Sequence, residues 1–275
     1  MEPVRLIAMD MDGTLLDETQ RIPMENLNAL REAASRGVAI AICSGRTADD
    51  VSFFASDAGL SQCYVLSLNG ACCLAQPHGE PYAISTIASE AAARLSDTLL
   101  RNQVTFACFQ PRRVIVVHGE DHLNKLNWGT HVARDNVNAY AYGETELARH
   151  LDEGACKFVY IDRDRDPRIE RIRRQLLPIG GLNVTSSWSN NLEIMPDGVN
   201  KGVALRSLTE KLGLQPEQVM ALGDYDNDLD MIAYAGYGIA MGNASERVKR
   251  AAKHITLTNA QHGVAAAIRR FVLNA

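Results

Sequence analysis

The sequence predicts an α/β protein: a doubly wound, mostly parallel sheet in two sequence halves, with an α+β segment inserted between them. Three observations predict it. Short continuous apolar runs, such as Val4 to Ala8 and Val38 to Cys43, alternate with amphipathic stretches, as in strands covered on both faces. Several of these runs end in glycine beside carboxylate or hydroxyl residues, the composition of a strand turning into a loop. Between residues 83 and 188 this rhythm gives way to hairpins mixed with helices.

In order along the chain, residues 1–82 form the first part of the core. A strand at 4–10 leads to a helix over Pro23 to Arg36, with Leu27, Leu30 and Ala34 at helical spacing and Gly37 to close it. A strand at Val38 to Cys43, a helix from Thr47 to Ala58 and a strand at Tyr64 to Leu68 with Asn69-Gly70 at its tip come next. A turn-rich passage around Pro77 and Pro81 ends this half. The inserted unit, 83–188, has a helix near 86–102 and a hairpin of 104–109 with 113–118 through Gln110-Pro111-Arg112. Helices near 122–133, 144–151 and 167–177 and strands at 157–161 and 182–188 complete it. The second part of the core, 189–275, begins with a strand at Leu192 to Met195. Helices at 201–212, 227–235, 245–252 and 262–273 then alternate with strands at 218–222, 238–241 and 254–257. The core is thus Rossmann-like in its alternation, and ligands of such sheets gather outside the carboxyl ends of the strands.

The bulk composition narrows the function. Of 275 residues, 46% are hydrophobic and 22% charged, which suits a globular protein of one large or two ordinary domains. A net charge of −5 argues against a nucleic-acid partner, which wants a broad basic face. The Arg168 to Arg174 run carries apolar partners at helical spacing and reads as a solvated helix face. No segment approaches the ~20 apolar residues of a membrane span, and the amino terminus lacks a secretory pattern. The six cysteines show no CxxC spacing and lie mostly in apolar runs, so they read as buried, reduced thiols and imply a cytoplasmic location.

Four constellations carry chemistry. Asp10 and Asp12, in Met9-Asp10-Met11-Asp12-Gly13-Thr14-Leu15, follow the first strand. On an extended backbone residues i and i+2 point the same way, so both carboxylates are expected in one small space at the sheet edge. Two such anions repel unless a cation joins them or one takes a proton. That suits a magnesium-assisted reaction with one carboxylate as nucleophile and the other as acid and base. An Asp-rich solvated turn is the alternative. The second constellation, Gly223-Asp224-Tyr225-Asp226-Asn227-Asp228-Leu229-Asp230, puts four aspartates in seven residues at a strand-to-helix junction. Helix capping explains one or two of them, but four call for a cation. Asp10, Asp224 and one backbone carbonyl are a sufficient protein contribution to magnesium, and Asp228 stands one turn on, placed for a metal water or a ligand. Third, Ser44-Gly45-Arg46 joins a buried strand to a helix and offers a hydroxyl and N–H groups to an anion, although Ser-Gly alone is also an ordinary turn. Fourth, Lys201, in Gly198-Val199-Asn200-Lys201-Gly202, starts a helix, where a cation opposes the dipole; beside the carboxylates it reads as a phosphate ligand.

These four pieces, in this order, resemble the haloacid dehalogenase-like hydrolase superfamily, and in particular its Cof-type branch of sugar- and small-molecule phosphatases. The first motif matches Asp10 to Leu15, the second Ser44, the third Lys201 and the fourth Gly223 to Asp228. Ser44 stands where the family often has threonine, which keeps the hydroxyl. The resemblance implies a cap domain between the second and third motifs, where the α+β insertion lies. It implies that Asp10 attacks phosphorus, forms an aspartyl phosphate and binds Mg2+, while Asp12 protonates the leaving alcohol and then activates water. It further implies metal ligation by the Asp12 backbone carbonyl and the Asp224 carboxylate. Phosphoryl oxygens would be held by the Met11 N–H, Ser44, Gly45, Lys201 and Asn227.

The expected partner is therefore a small phosphorylated molecule. A phosphomutase or phosphotransferase on the same fold, passing the phosphate of Asp10 to a sugar, is the nearest alternative. A non-catalytic phosphometabolite sensor or receiver-like module is another, but it leaves Asp12 and a domain-sized insertion without a role. Arg112, Arg113, His118 and Asn136 are the polar candidates for substrate selection within the insertion.

Overall fold

The computed structural model describes residues 2–117, 137–141, 147–148, 154–161, 168–186 and 190–274. The chain divides into two units, Met1–Tyr82 with Asn200–Ala275, and Ala83–Val199.

The first unit is built on Leu6–Met9 (β1), whose four side chains are all buried. It pairs in parallel with Ala39–Cys43 (β2) on one side and Val219–Gly223 (β12) on the other. Tyr64–Ser67 (β3), Tyr237–Ala240 (β13) and His254–Ile255 (β14) extend the parallel array, and Cys72–Leu74 (β4) turns back antiparallel onto β3. With Pro81–Ile84 (β5) at the edge, the order is β14-β13-β12-β1-β2-β3-β4-β5. Central strands read as unbroken apolar runs because helices cover both faces. Met24–Ser35 (α1) buries Leu27, Leu30 and Ala33 along one stripe. Ala33, not the expected Ala34, completes that stripe, because Ala34 has turned to solvent. Ala48–Asp57 (α2) starts where the Thr47 side chain accepts the Asp50 N–H. The expected strand–helix alternation is therefore present in this unit, plus the short strands β4 and β5, whose few residues and leading proline carried no periodic signal.

The second unit contains Ser89–Arg101 (α3), Phe106–Phe109 (β6), Val114–Val117 (β7), Val137–Ala141 (β8), Lys157–Ile161 (β9), Arg168–Leu176 (α4), Leu182–Thr185 (β10) and Asn191–Pro196 (β11). Its sheet order is β10-β11-β9-β6-β7-β8, antiparallel except between β7 and β8. Leu95 and Leu99 of α3 and Ile172 and Leu176 of α4 pack with Phe106, Cys108, Ile115, Phe158, Leu192 and Ile194 on one sheet face. The arginines of α4 line its exposed and half-buried positions. The expected helix near 122–133, most of that near 144–151, and candidates His118 and Asn136 lie outside the described residues. Of the other two candidates, Arg112 is exposed and Arg113 half-buried.

One strand departs from the sequence-based expectation, which places Leu192–Met195 in the parallel core. It lies in the second unit, antiparallel between β9 and β10. The reason is period-two patterning: Leu192 and Ile194 enter the apolar cluster, while Asn191 and Glu193 face the other way. There Glu193 is buried but ion-paired with Lys157 at 2.9 Å. All six cysteines are buried free thiols. Among the described residues, no helix is long and apolar enough to cross a membrane.

Candidate active site

Sheet register brings the motif residues of the first unit to one edge. Met9 is level with both Leu222 of β12 and Ile42 of β2. The segments that follow, Asp10-Met11-Asp12, Gly223-Asp224 and Cys43-Ser44, therefore leave the sheet side by side. The Asp10 N–H donates to the Leu222 carbonyl at 2.9 Å, fixing the start of the first loop. Lys201 arrives from Lys201–Lys211 (α5), whose first turn is capped by the Asn200 side chain accepting the Val203 N–H.

Ligand oxygens of Asp10, Asp224 and Asp228 lie within 4.8 Å of one another. Lys201 Nζ donates to Asp10 Oδ1 at 2.5 Å and to Asp228 Oδ1 at 2.6 Å, with the lysine only 1% exposed. A buried ammonium is tolerable only when paired, and two carboxylates pair it here. They also offset the unfavourable placement of a cation at a helix start. Asp228 Oδ2 accepts the N–H groups of Asp224 and Tyr225 at 2.9 and 3.0 Å, so one carboxylate holds both the lysine and the loop. That carboxylate lies against Gly223, where a Cβ would collide with it. At Gly13, with φ +80°, a Cβ would strike the carboxylate of Asp224. Thr14 Oγ1 donates to Asp224 Oδ1 at 2.8 Å.

The electrostatics follow from crowding. Burial pushes Asp10 well above the usual carboxylate range; Lys201 opposes the shift, and Asp228, Asp224 and Asp12 add to it. Burial pushes Asp224 up to about 7, with Asp228 adding and Thr14 and Lys201 opposing. For Lys201, burial works against the charged form, yet Asp10 and Asp228 outweigh it and keep the ammonium charged. Three neighbouring carboxylates against one ammonium leave an excess of negative charge, and hard oxygen donors of this kind fit magnesium.

The remaining expected residues are placed as follows. Met11 is buried at the start of the turn Met11–Leu15. Ser44 is buried, and its Oγ accepts the Arg46 N–H at 3.2 Å. Gly45 beside it is half-buried. Asn227 donates to Asn69 Oδ1 at 3.3 Å, at the tip of β3. Asp12 departs from expectation: its carboxylate is not among the clustered three. The chain leaves the extended path at Gly13, and Arg46 takes the Asp12 carboxylate in a two-pronged contact at 2.8 and 2.6 Å. Sequence reasoning gave no role to Arg46, Thr14 or Gln20. The first two stand inside the quoted motifs, and a charged residue closing a buried strand was the available signal.

Comparison with known proteins agrees with this geometry. A family model described as haloacid dehalogenase-like hydrolase matches residues 7–268. The chain is 36% identical to the 5-amino-6-(5-phospho-D-ribitylamino)uracil phosphatase YcsE of Bacillus subtilis, covering 98% of this chain and 96% of that protein. It is 29% identical to Phosphatase YwpJ of the same organism, over 95% of this chain and 98% of that one. A solved haloacid dehalogenase-like hydrolase from B. subtilis superposes with a TM-score of 0.84 at 29% identity, covering 98% of this chain and 100% of that one. On a family match spanning nearly its whole length, the chain belongs to the haloacid dehalogenase-like hydrolases, as one of their phosphatases.

Proposed function

We propose that the protein is a magnesium-dependent phosphomonoesterase that works through an aspartyl phosphate on Asp10. The observation that carries this reading is the buried Asp10 carboxylate, clustered with Asp224 and Asp228 and hydrogen-bonded to Lys201. An Asp10 oxygen attacks phosphorus and the ester P–O bond breaks. Asp12 gives its proton to the departing alkoxide. Water then attacks the aspartyl phosphate, Asp12 takes its proton, and inorganic phosphate leaves with Asp10 restored. Lys201, Ser44, Gly45, Asn227 and the Met11 N–H hold the phosphoryl oxygens, since phosphoryl transfer depends chiefly on positioning and nearby positive charge. Magnesium would be held by Asp10, Asp224 and the Asp12 backbone carbonyl and would neutralise phosphoryl charge. Asp228, whose oxygens already accept three hydrogen bonds, acts by fixing Lys201 and the 223–225 backbone.

The substrate class is small phosphorylated metabolites, sugar phosphates or related compounds. The name of YcsE, a phosphatase of a phosphoribityl compound, supports this class. We assign the unit Ala83–Val199 as the cap that selects among them. The net charge of −5 and the buried thiols favour a cytoplasmic enzyme without a nucleic-acid partner. The test is phosphate release with Mg2+ present, over pentose and hexose phosphates and 5-amino-6-(5-phospho-D-ribitylamino)uracil. Free phosphate from at least one ester is expected. Transfer to a sugar acceptor without free phosphate would replace hydrolase by phosphotransferase, and no turnover of any ester would refute the reading.

A further inference from the structure

Arg46 is 4% exposed, yet the Asp12 side chain it grips is 26% exposed. Its Nε donates to Asp12 Oδ2 at 2.8 Å and its Nη2 to Asp12 Oδ1 at 2.6 Å, so the guanidinium plane fixes both carboxylate oxygens. Two further contacts fix the guanidinium. Its carbon sits 5.1 Å from the centre of the Phe54 ring on α2, and its Nη2 also donates to Gln20 Oε1 at 2.6 Å.

Gln20 is held with equal care. Its φ of 61° lies in a region that side-chain-bearing residues rarely adopt. A closed turn imposes it: Asp17 Oδ1 accepts the Thr19 N–H, the Thr19 hydroxyl and the Arg21 N–H. The Gln20 N–H donates to the Asp17 carbonyl, and the Asp17 N–H donates to that of Arg21. The strained turn directs one amide oxygen at Arg46.

We propose that Arg46, braced by Gln20, is the positioning residue that orients the Asp12 carboxyl for proton transfer. This rests on the reading of Asp12 as acid and base given above. Asp12 keeps an extended backbone, and the chain turns only after it, at Gly13; the Asp12 side chain has two free torsions, and the fork removes both. Effects of misplacing a reacting group by about an ångström reach roughly 100-fold.

The test compares kcat/KM, which reads the first phosphoryl transfer, on two esters. p-Nitrophenyl phosphate loses a stabilised phenolate that needs little protonation, whereas a hexose phosphate loses an alkoxide that needs a proton. Arg46→Ala is expected to lower the hexose phosphate value about 10–100-fold and the nitrophenyl value only a few-fold. Arg46→Lys, which keeps charge but not the fork, should behave like Arg46→Ala. Gln20→Ala should give a smaller loss with the same ester bias, and it decides the matter if Arg46→Ala fails to fold. In an Asp12→Asn background, Arg46→Ala should add nothing. Equal losses on both esters, normal rates in Arg46→Lys, or faster hexose phosphate hydrolysis in Gln20→Ala would overturn the assignment while leaving the phosphatase reading intact. Wild-type protein inactive on both esters would instead sink that reading and this one with it.

Discussion

The Thr14 hydroxyl donates to Asp224 Oδ1 at 2.8 Å, joining residues 210 positions apart in the chain. It orients a proposed magnesium ligand that Gly13 lets come close. Partners of this kind typically contribute 10–100-fold in metal affinity. Thr14→Val should raise the Mg2+ concentration for half-maximal activity about tenfold, and Thr14→Ser should restore it. A Mg2+ titration of phosphate release checks both, and an unchanged midpoint in Thr14→Val would count against the role.

Asp10→Asn should abolish turnover, about 10³-fold or more, because an amide cannot form the acyl phosphate. Circular dichroism of the variant should match wild type, since an amide of the same size still accepts from Lys201. A purified variant hydrolysing p-nitrophenyl phosphate at near wild-type rate would end the nucleophile assignment.

Asp228→Asn places an NH2 group either against the Lys201 ammonium or against the two backbone N–H groups that Asp228 now accepts. Either choice sets donor against donor in a buried site. Breaking a buried ion pair costs about 3–5 kcal/mol, and Lys201 keeps Asp10, so the loss should sit near 3 kcal/mol. Calorimetry should show Tm lower by about 6–10 °C. A shift under about 1 °C would mean that the site relaxes around the change.

The metal-free protein should lose stability as pH rises toward neutrality. Burial holds the folded-state pKa of Asp224 at about 7 and raises that of Asp10 as well. From the ordinary carboxylate range up to about 7, the folded form therefore binds protons that the unfolded chain has released. Stability is then greatest at the acid end of this window and falls as pH rises through it. Magnesium ligation needs the deprotonated carboxylates, so the stabilisation it adds should grow with pH. Tm measured between about pH 5 and 8 with chelator and with Mg2+ reads both trends. A chelated Tm that climbs steadily across that range would contradict them.

The parallel core was legible because its strands are covered on both faces and so appear as unbroken apolar runs, as in Leu6–Met9 and Val219–Gly223. Strand-end carboxylates were legible for a similar reason: like charges that dense at a sheet edge need a partner. Leu192–Met195 was misplaced because three apolar residues in four outweighed the alternation that carries Glu193 to the other face of the observed strand. The Arg46 contact was invisible because it depends on where Gly13 turns the chain and on how a turn 26 residues away aims Gln20. Local pattern reports which faces are buried; it does not report where a long flexible side chain will end.

Strand β1 has β12 as one neighbour and β2 as the other, and the insertion separates them in sequence. During synthesis, β1 and β2 emerge early, but one rim of β1 keeps its unpaired amides until residues 219–223 follow. A ribosome-bound chain halted before that point presents an unfinished apolar edge, the kind of surface on which nascent proteins aggregate or recruit chaperones. Docking of β12 both closes that edge and delivers Asp224 to Asp10. Closure of that rim of β1 and arrival of Asp224 beside Asp10 are thus a single folding event, with β13 and β14 still to be added outside β12.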